Sequence, residues 1–254
     1  MCLRAGIIAT VLALSSTVAA WSATITVQYT VDAGGSNNKP LNGLSAMATF
    51  IASGNQLNVL LKNTSTGLPV GFDVSDSLLV SLGFNLPTNI SIVSGSAAVI
   101  GSGSVGLGQW SSRGPGASVA EEWAWTNGTG GDLLSTYRQI ITTSQGNHGL
   151  KKFNGTTGTV GGPFGGIAAS PVLAAIPGPQ RAVSNSIEFS LLLSGLLTEA
   201  QLKYMADNSI VEYGSDVRYL KTPDSDPRVP EPASLALVAI AAVSLMRRRL
   251  RARA

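Results

Sequence analysis

Few residues in this chain could do chemistry. His148 is the only histidine, in Gln145-Gly-Asn-His-Gly149, and one imidazole without a cysteine beside it cannot build a zinc site. A Ser-His-Asp relay through His148 has Asp132 nearby in sequence, but no G-x-S-x-G elbow occurs to present a nucleophile. Gly101-Ser-Gly-Ser-Val-Gly106 fits G-x-G-x-x-G, yet Leu107 to Gly116 cannot open the helix that a dinucleotide needs, so a glycine-rich loop is expected. Glu121 and Glu122 are adjacent; on a strand they point to opposite faces and cannot work as a pair. Asp73-Val-Ser-Asp76 and Asp224-Ser-Asp226 fall short of a calcium loop's ligand density and read as turn and spacer residues. No catalytic residue, cofactor or metal ligand is therefore assigned.

Aromatics give the clearest binding signal. Trp123 and Trp125 share one face if Val119–Thr126 is a strand, with Trp110 close by. Exposed, the pair is a candidate glycan contact, a platform for sugar rings; buried, it is half of a core.

The elements that must position these residues are β-strands. Ile25, Val27, Tyr29 and Val31 alternate with Thr24, Thr26, Gln28 and Thr30. Further β-prone runs cover 57–61, 77–84, 90–100, 119–126, 137–143, 187–193 and 210–213, with Asn42-Gly43, Asn127-Gly128 and Asn154-Gly155 as turns. The pattern predicts an all-β fold over residues 21–220, a single jelly-roll-like β-sandwich of eight to ten strands. One short helix is expected from the capping box Thr198…Gln201, ending at Asp207-Asn208. Gly146–Pro179, with nine glycines and four prolines, reads as a long loop excursion, and 221–228 as a Pro/Asp spacer.

Both ends look like targeting segments. Arg4, an apolar run from Ala5 to Leu14 and Val18-Ala19-Ala20 before Trp21 form a Sec-type signal peptide over residues 1–20, with the Sec translocon and signal peptidase as partners. The only cysteine, Cys2, lies inside it, so no disulfide supports the mature chain. At the other end, Val229-Pro230-Glu231-Pro232 precedes an uncharged transmembrane segment, 233–246, and the cluster Arg247, Arg248, Arg249. Fourteen residues span about 21 Å as a helix, so the anchor is thin, and the arginines put the C-terminus in the cytoplasm. The chain carries 17 basic and 14 acidic residues; six basic ones sit in these end segments, leaving 11 against 14 over 21–232. The basic isoelectric point is thus a targeting property, and nucleic acid is excluded as a partner.

Residues 229–254, with Pro-Glu-Pro, apolar run and arginines in order, resemble the PEP-CTERM sorting signal of Gram-negative bacteria, a segment that also goes by the name ice-binding protein C-terminal domain. The resemblance implies processing by exosortase, a membrane-embedded transpeptidase, with the chain its substrate. It implies transient inner-membrane anchoring, then transfer to the cell surface or extracellular matrix. Ser77–Pro87, Ile90–Ala97, Ile187–Leu193 and Ile210–Gly214 resemble PEP-CTERM ectodomains more loosely. The expected function is a non-enzymatic surface or matrix protein contributing to adhesion, biofilm or contact with extracellular polysaccharide. The alternative is a secreted polysaccharide hydrolase using two separated carboxylates.

Overall fold

A computed structural model describes residues 22–36, 42–128, 132–144, 149–160 and 162–223. The signal peptide, the sorting segment with its transmembrane stretch, His148, Asp224 and Asp226 lie outside these residues. No helix among the described residues is long and apolar enough to cross a membrane. The fold is all-β with one α-helix.

Among the described residues, fifteen strands form two sheets. The first is antiparallel and contains β1 (Ser22–Tyr29), β3 (Ala46–Ser53), β4 (Gln56–Asn63), β6 (Ile92–Ile100) and β13 (Ser186–Leu193), in the order β1-β3-β4-β13-β6. The second is built around β5 (Leu79–Phe84), which pairs with β9 (Gln139–Thr142) on one side and β14 (Ile210–Tyr213) on the other. Beyond β9 lie β8 (Ala124–Thr126) and β10 (Lys151–Lys152), and beyond β14 lie β15 (Arg218–Lys221) and β2 (Val31–Gly34). β11 (Ile167–Ala168), β12 (Arg181–Ser184) and β7 (Gly106–Gly108) continue from one end of β5.

Side-chain alternation decides which face of the first sheet is buried. Ala46, Ala48, Phe50 and Ala52 of β3 point inward, as do Leu57, Val59 and Leu61 of β4 and Phe189 and Leu191 of β13. β3 was not expected: alanine has little strand preference, and its small inner side chains are selected by tight packing between sheets. Gly54, at φ +58°, starts the two-residue turn that joins β3 to β4 with Ser53 opposite Gln56. Strand number also exceeds the expected eight to ten. The surplus is short strands such as β7, β10 and β11, whose two or three residues leave no periodic signal.

The inner faces of both sheets share one hydrophobic core. Phe50 meets Phe84 edge-on at 6.2 Å between ring centroids, and Phe189 lies against Trp123 (4.9 Å) and Phe153 (5.4 Å). Phe153 and Ile167 come from the glycine-rich stretch expected to be an excursion, so that stretch instead supplies core side chains and strand pairing. The spacer also starts later than residue 221, because Lys221 belongs to β15 and the Thr222 hydroxyl donates to the Asp207 carbonyl.

The helix α1 (Glu199–Asp207) follows its sequence signals. The Thr198 hydroxyl accepts from the Gln201 N–H and the Gln201 side chain accepts from the Thr198 N–H, while Leu202, Met205 and Ala206 enter the core. Just past α1, Ser209 joins the Tyr29 hydroxyl at 2.6 Å and donates to the Ala206 carbonyl, tying β1 to the helix end.

Two buried tyrosines make stability depend on alkaline pH. Burial raises the hydroxyls of Tyr29 and Tyr213 above their ordinary value of 10.0, against smaller opposing effects of hydrogen bonds with Ser209 and Ser65. The folded state keeps these protons after the unfolded chain has released its own, so stability is whole below pH 10 and falls as pH rises above it. The slope should approach about 1.4 kcal/mol per pH unit for each tyrosine. Urea melts between neutral and strongly alkaline pH should show this slope in the wild type and a flatter one in Tyr29→Phe/Tyr213→Phe. An unchanged slope in the double variant would reject the assignment.

Candidate functional site

A shallow concavity lies on the outer face of the first sheet. Adjacent registers bring Ile51, Asn58 and Ser190 into one row and Thr49, Leu60 and Glu188 into the next. Together Ile51, Asn58, Leu60, Glu188 and Ser190 line a groove of about 340 Å³, with the backbone of Val59 and Phe189 as its floor. The floor is backbone because both those side chains point into the core. The face continues toward β1 through Thr49, whose hydroxyl is 3.0 Å from that of Thr26. Charge is sparse: among the outward residues of β1, β3, β4 and β13, only Lys62 and Glu188 carry any.

Such a surface has definite chemistry. Ile51 and Leu60 offer aliphatic contact, Asn58 both donates and accepts, Ser190 can do either, and Glu188 accepts. Neutral polyhydroxylated ligands match that mixture, because their rings have apolar C–H faces and their hydroxyls need both kinds of partner. Glu188 is the only carboxylate in the lining, whereas glycoside hydrolysis by paired carboxylates needs two across one bond.

Both tryptophans proposed as a glycan platform are instead core residues. Trp123 is 0% exposed and its Nε1 donates to the Gly165 carbonyl at 3.0 Å; Trp125 is 3% exposed beneath the Lys151 ammonium, 5.2 Å from its ring. They share a face as expected, but it is the inner face, where large rings fill the space beside Phe189. Trp110 is also buried, with the guanidiniums of Arg113 and Arg181 4.6 and 5.9 Å from its ring.

The other candidate residues hold the fold together. Glu121 and Glu122 occupy a turn before β8, not a strand, and bind Arg113 at 2.6 Å and Arg181 at 2.7 Å. Those two ion pairs fix the arginines beside Trp110. Asp73 and Asp76 close a turn: Asp73 Oδ1 accepts from the Ser75 hydroxyl and the Asp76 N–H, and Asp76 Oδ2 accepts from the Asp73 N–H. Gly101–Gly106 is a loop leading into β7, with Gly103 at φ +70° and the Ser104 hydroxyl held by Ser186 at 3.0 Å.

One polar cluster was missed. Glu212, 0% exposed, accepts from the hydroxyls of Ser81 and Ser144 (3.0 Å for the latter) and from the Asp216 N–H at 2.8 Å. Ser81 also meets the Thr142 hydroxyl at 2.7 Å. These groups come from three adjacent strands and two turns, so no local spacing announces them. The only signal is an acid between Val211 and Tyr213 in a strand whose every residue is buried. Ser81 is fully buried, so the pair Ser81–Glu212 has a packing role.

No protein-family model matches the chain, and no curated protein or solved structure matches it.

Removing the Glu212 carboxyl strands two hydroxyl donors and one backbone N–H. Glu212→Ala should cost about 3 kcal/mol and Glu212→Gln about half that, since one acceptor oxygen survives. Denaturant midpoints check this; equal midpoints for Glu212→Ala and wild type would show that the cluster contributes nothing.

Proposed function

We propose that the two sheets form a single jelly-roll-like β-sandwich ectodomain that works as a non-enzymatic, exosortase-sorted surface or matrix protein. Its contact with extracellular polysaccharide runs through the outer face of the first sheet. The observation that carries the binding half of this reading is the neutral groove lined by Ile51, Asn58, Leu60, Glu188 and Ser190. It supports a reading as a binder because it combines aliphatic walls with neutral donors and acceptors and only one carboxylate. Support for the sorting half is in the sequence: a signal-peptide pattern at one end, and Pro230-Glu231-Pro232, an apolar run and Arg247-Arg-Arg249 at the other. In this reading the Sec translocon and signal peptidase export the chain. The C-terminal segment holds it in the inner membrane with its arginines in the cytoplasm, and exosortase releases it toward the surface and biofilm matrix.

Two measurements test the two halves separately. Cell fractionation with and without exosortase should show the protein passing from released to membrane-retained; an unchanged distribution would sink the sorting half. Binding of the purified chain to polysaccharide from the producing cells should weaken about fivefold for each of Asn58→Ala and Glu188→Ala, one hydrogen bond apiece. Unchanged binding in the double variant would remove the groove from the ligand site.

A further inference from the structure

The two outer strands of the first sheet, β1 and β6, are treated very differently. The free side of β6 is closed at both of its ends. Asn127 accepts from the Ile92 N–H at 2.9 Å and donates to the Ile92 carbonyl at 2.7 Å. At the other end, Ile100 exchanges backbone bonds with Ala117 and Gly116, and the Val119 N–H reaches the Ala98 carbonyl at 2.8 Å. The β6 register against β13 also shifts at Ser190/Leu191 and Leu192/Leu193, irregularities that make an edge hard to extend.

β1 lacks such backbone capping among the described residues, although α1 packs against it and Ser209 ties Tyr29 to the helix end. It pairs with β3 through eight consecutive residues without a register shift. Among the described residues nothing hydrogen-bonds to the other side of the Ser22–Tyr29 backbone; the first such contact is Thr30 N–H to the Lys221 carbonyl at 3.2 Å. Ser22-Ala-Thr-Ile-Thr-Val-Gln-Tyr29 contains no proline, glycine or charge, the residues by which exposed edges are usually blunted. Its outward row is Ser22, Thr24, Thr26 and Gln28, all exposed, neutral and able to both donate and accept.

We propose that β1 is an edge for self-association, where a second copy of this chain adds its own β1 antiparallel and joins two five-stranded sheets into one. The chemistry favours a copy of itself as occupant. A two-fold axis through the middle of β1 sets Thr24 and Thr26 of one copy against Thr26 and Thr24 of the other, or, one step along, Thr26 against Thr26 and Thr24 against Gln28. The inward residues Ala23, Ile25 and Val27 then oppose one another, so the alternation of both sheets stays in phase. A neutral row facing its own copy meets no like charge at any such register. The outer faces, with their grooves, would lie side by side on one continuous surface.

The full-length chain in one detergent, followed by analytical ultracentrifugation, tests this. Wild type should self-associate to a dimer by about 100 µM, a range in which even a modest specific interface is populated. T24K/T26K and T24E/T26E each place like charges across the pairing and should weaken association about tenfold or more. An equimolar mixture of the two variants should restore the dimer, which also shows that each variant is folded. A monomeric wild type would overturn the proposal. So would variants that dimerise as wild type does, or a mixture that stays monomeric.

Discussion

A buried node at the end of β4 ties the two sheets together by hydrogen bonds and fixes how they stack. Asn63 donates through Nδ2 to the carbonyls of Ser77 and Ile167, at 3.1 and 2.8 Å, and its Oδ1 accepts from the Ser65 N–H at 3.1 Å. The Tyr213 hydroxyl lies 3.1 Å from the same oxygen and donates to the Ser45 carbonyl at 2.6 Å. One amide thereby uses both of its donors and an acceptor site to connect β4, the approach to β5 and β11, with β14's Tyr213 beside it. A buried amide is tolerated only when satisfied, and this one can be satisfied in a single arrangement of those segments. The node gives the stacking of two sheets a defined position, which apolar contact alone does not.

Around it, the core distributes the work that disulfides do in many domains. With Cys2 as the only cysteine, cross-links are replaced by contacts between rings, Phe50 on Phe84 and Phe189 between Trp123 and Phe153, and by the Glu212 cluster. Each joins segments far apart in sequence. Polar residues in this core serve registration as much as stability: Ser81 and Ser144 meet Glu212, and Thr142 meets Ser81, only if β5, β9 and β14 are aligned as they are.

The same architecture decides where function can reside. The second sheet takes up the loops, the buried tryptophans and the Arg–Glu pairs, while the first keeps one regular face open. That face offers a neutral groove and, at β1, an uncapped edge. In the proposed function, this flat array of threonine, asparagine, serine and aliphatic side chains meets an extended neutral polymer through many weak contacts spread over area. Joining two such faces edge to edge would multiply those contacts without changing any of them.

Local patterns in the sequence were enough for some of this. Alternation in Ser22–Tyr29 gives a strand with one buried face, and Thr198 with Gln201 gives the helix start, because both signals come from residues within one element. Spacing also put Trp123 and Trp125 on a common face. Whether that face met solvent or Phe189 depended on where the second sheet lay, and so it required the tertiary structure. Strand β3 was hidden by its alanines, Glu121 and Glu122 proved to lie in a turn, and the Glu212 cluster gathers residues from 81 to 216 that no spacing rule relates. Composition and periodicity by themselves determined the fold class and the helix, since these follow from near-neighbour physics. Which residues face solvent, which carboxylates are occupied by structure, and which edge is left bare were decided only by long-range packing.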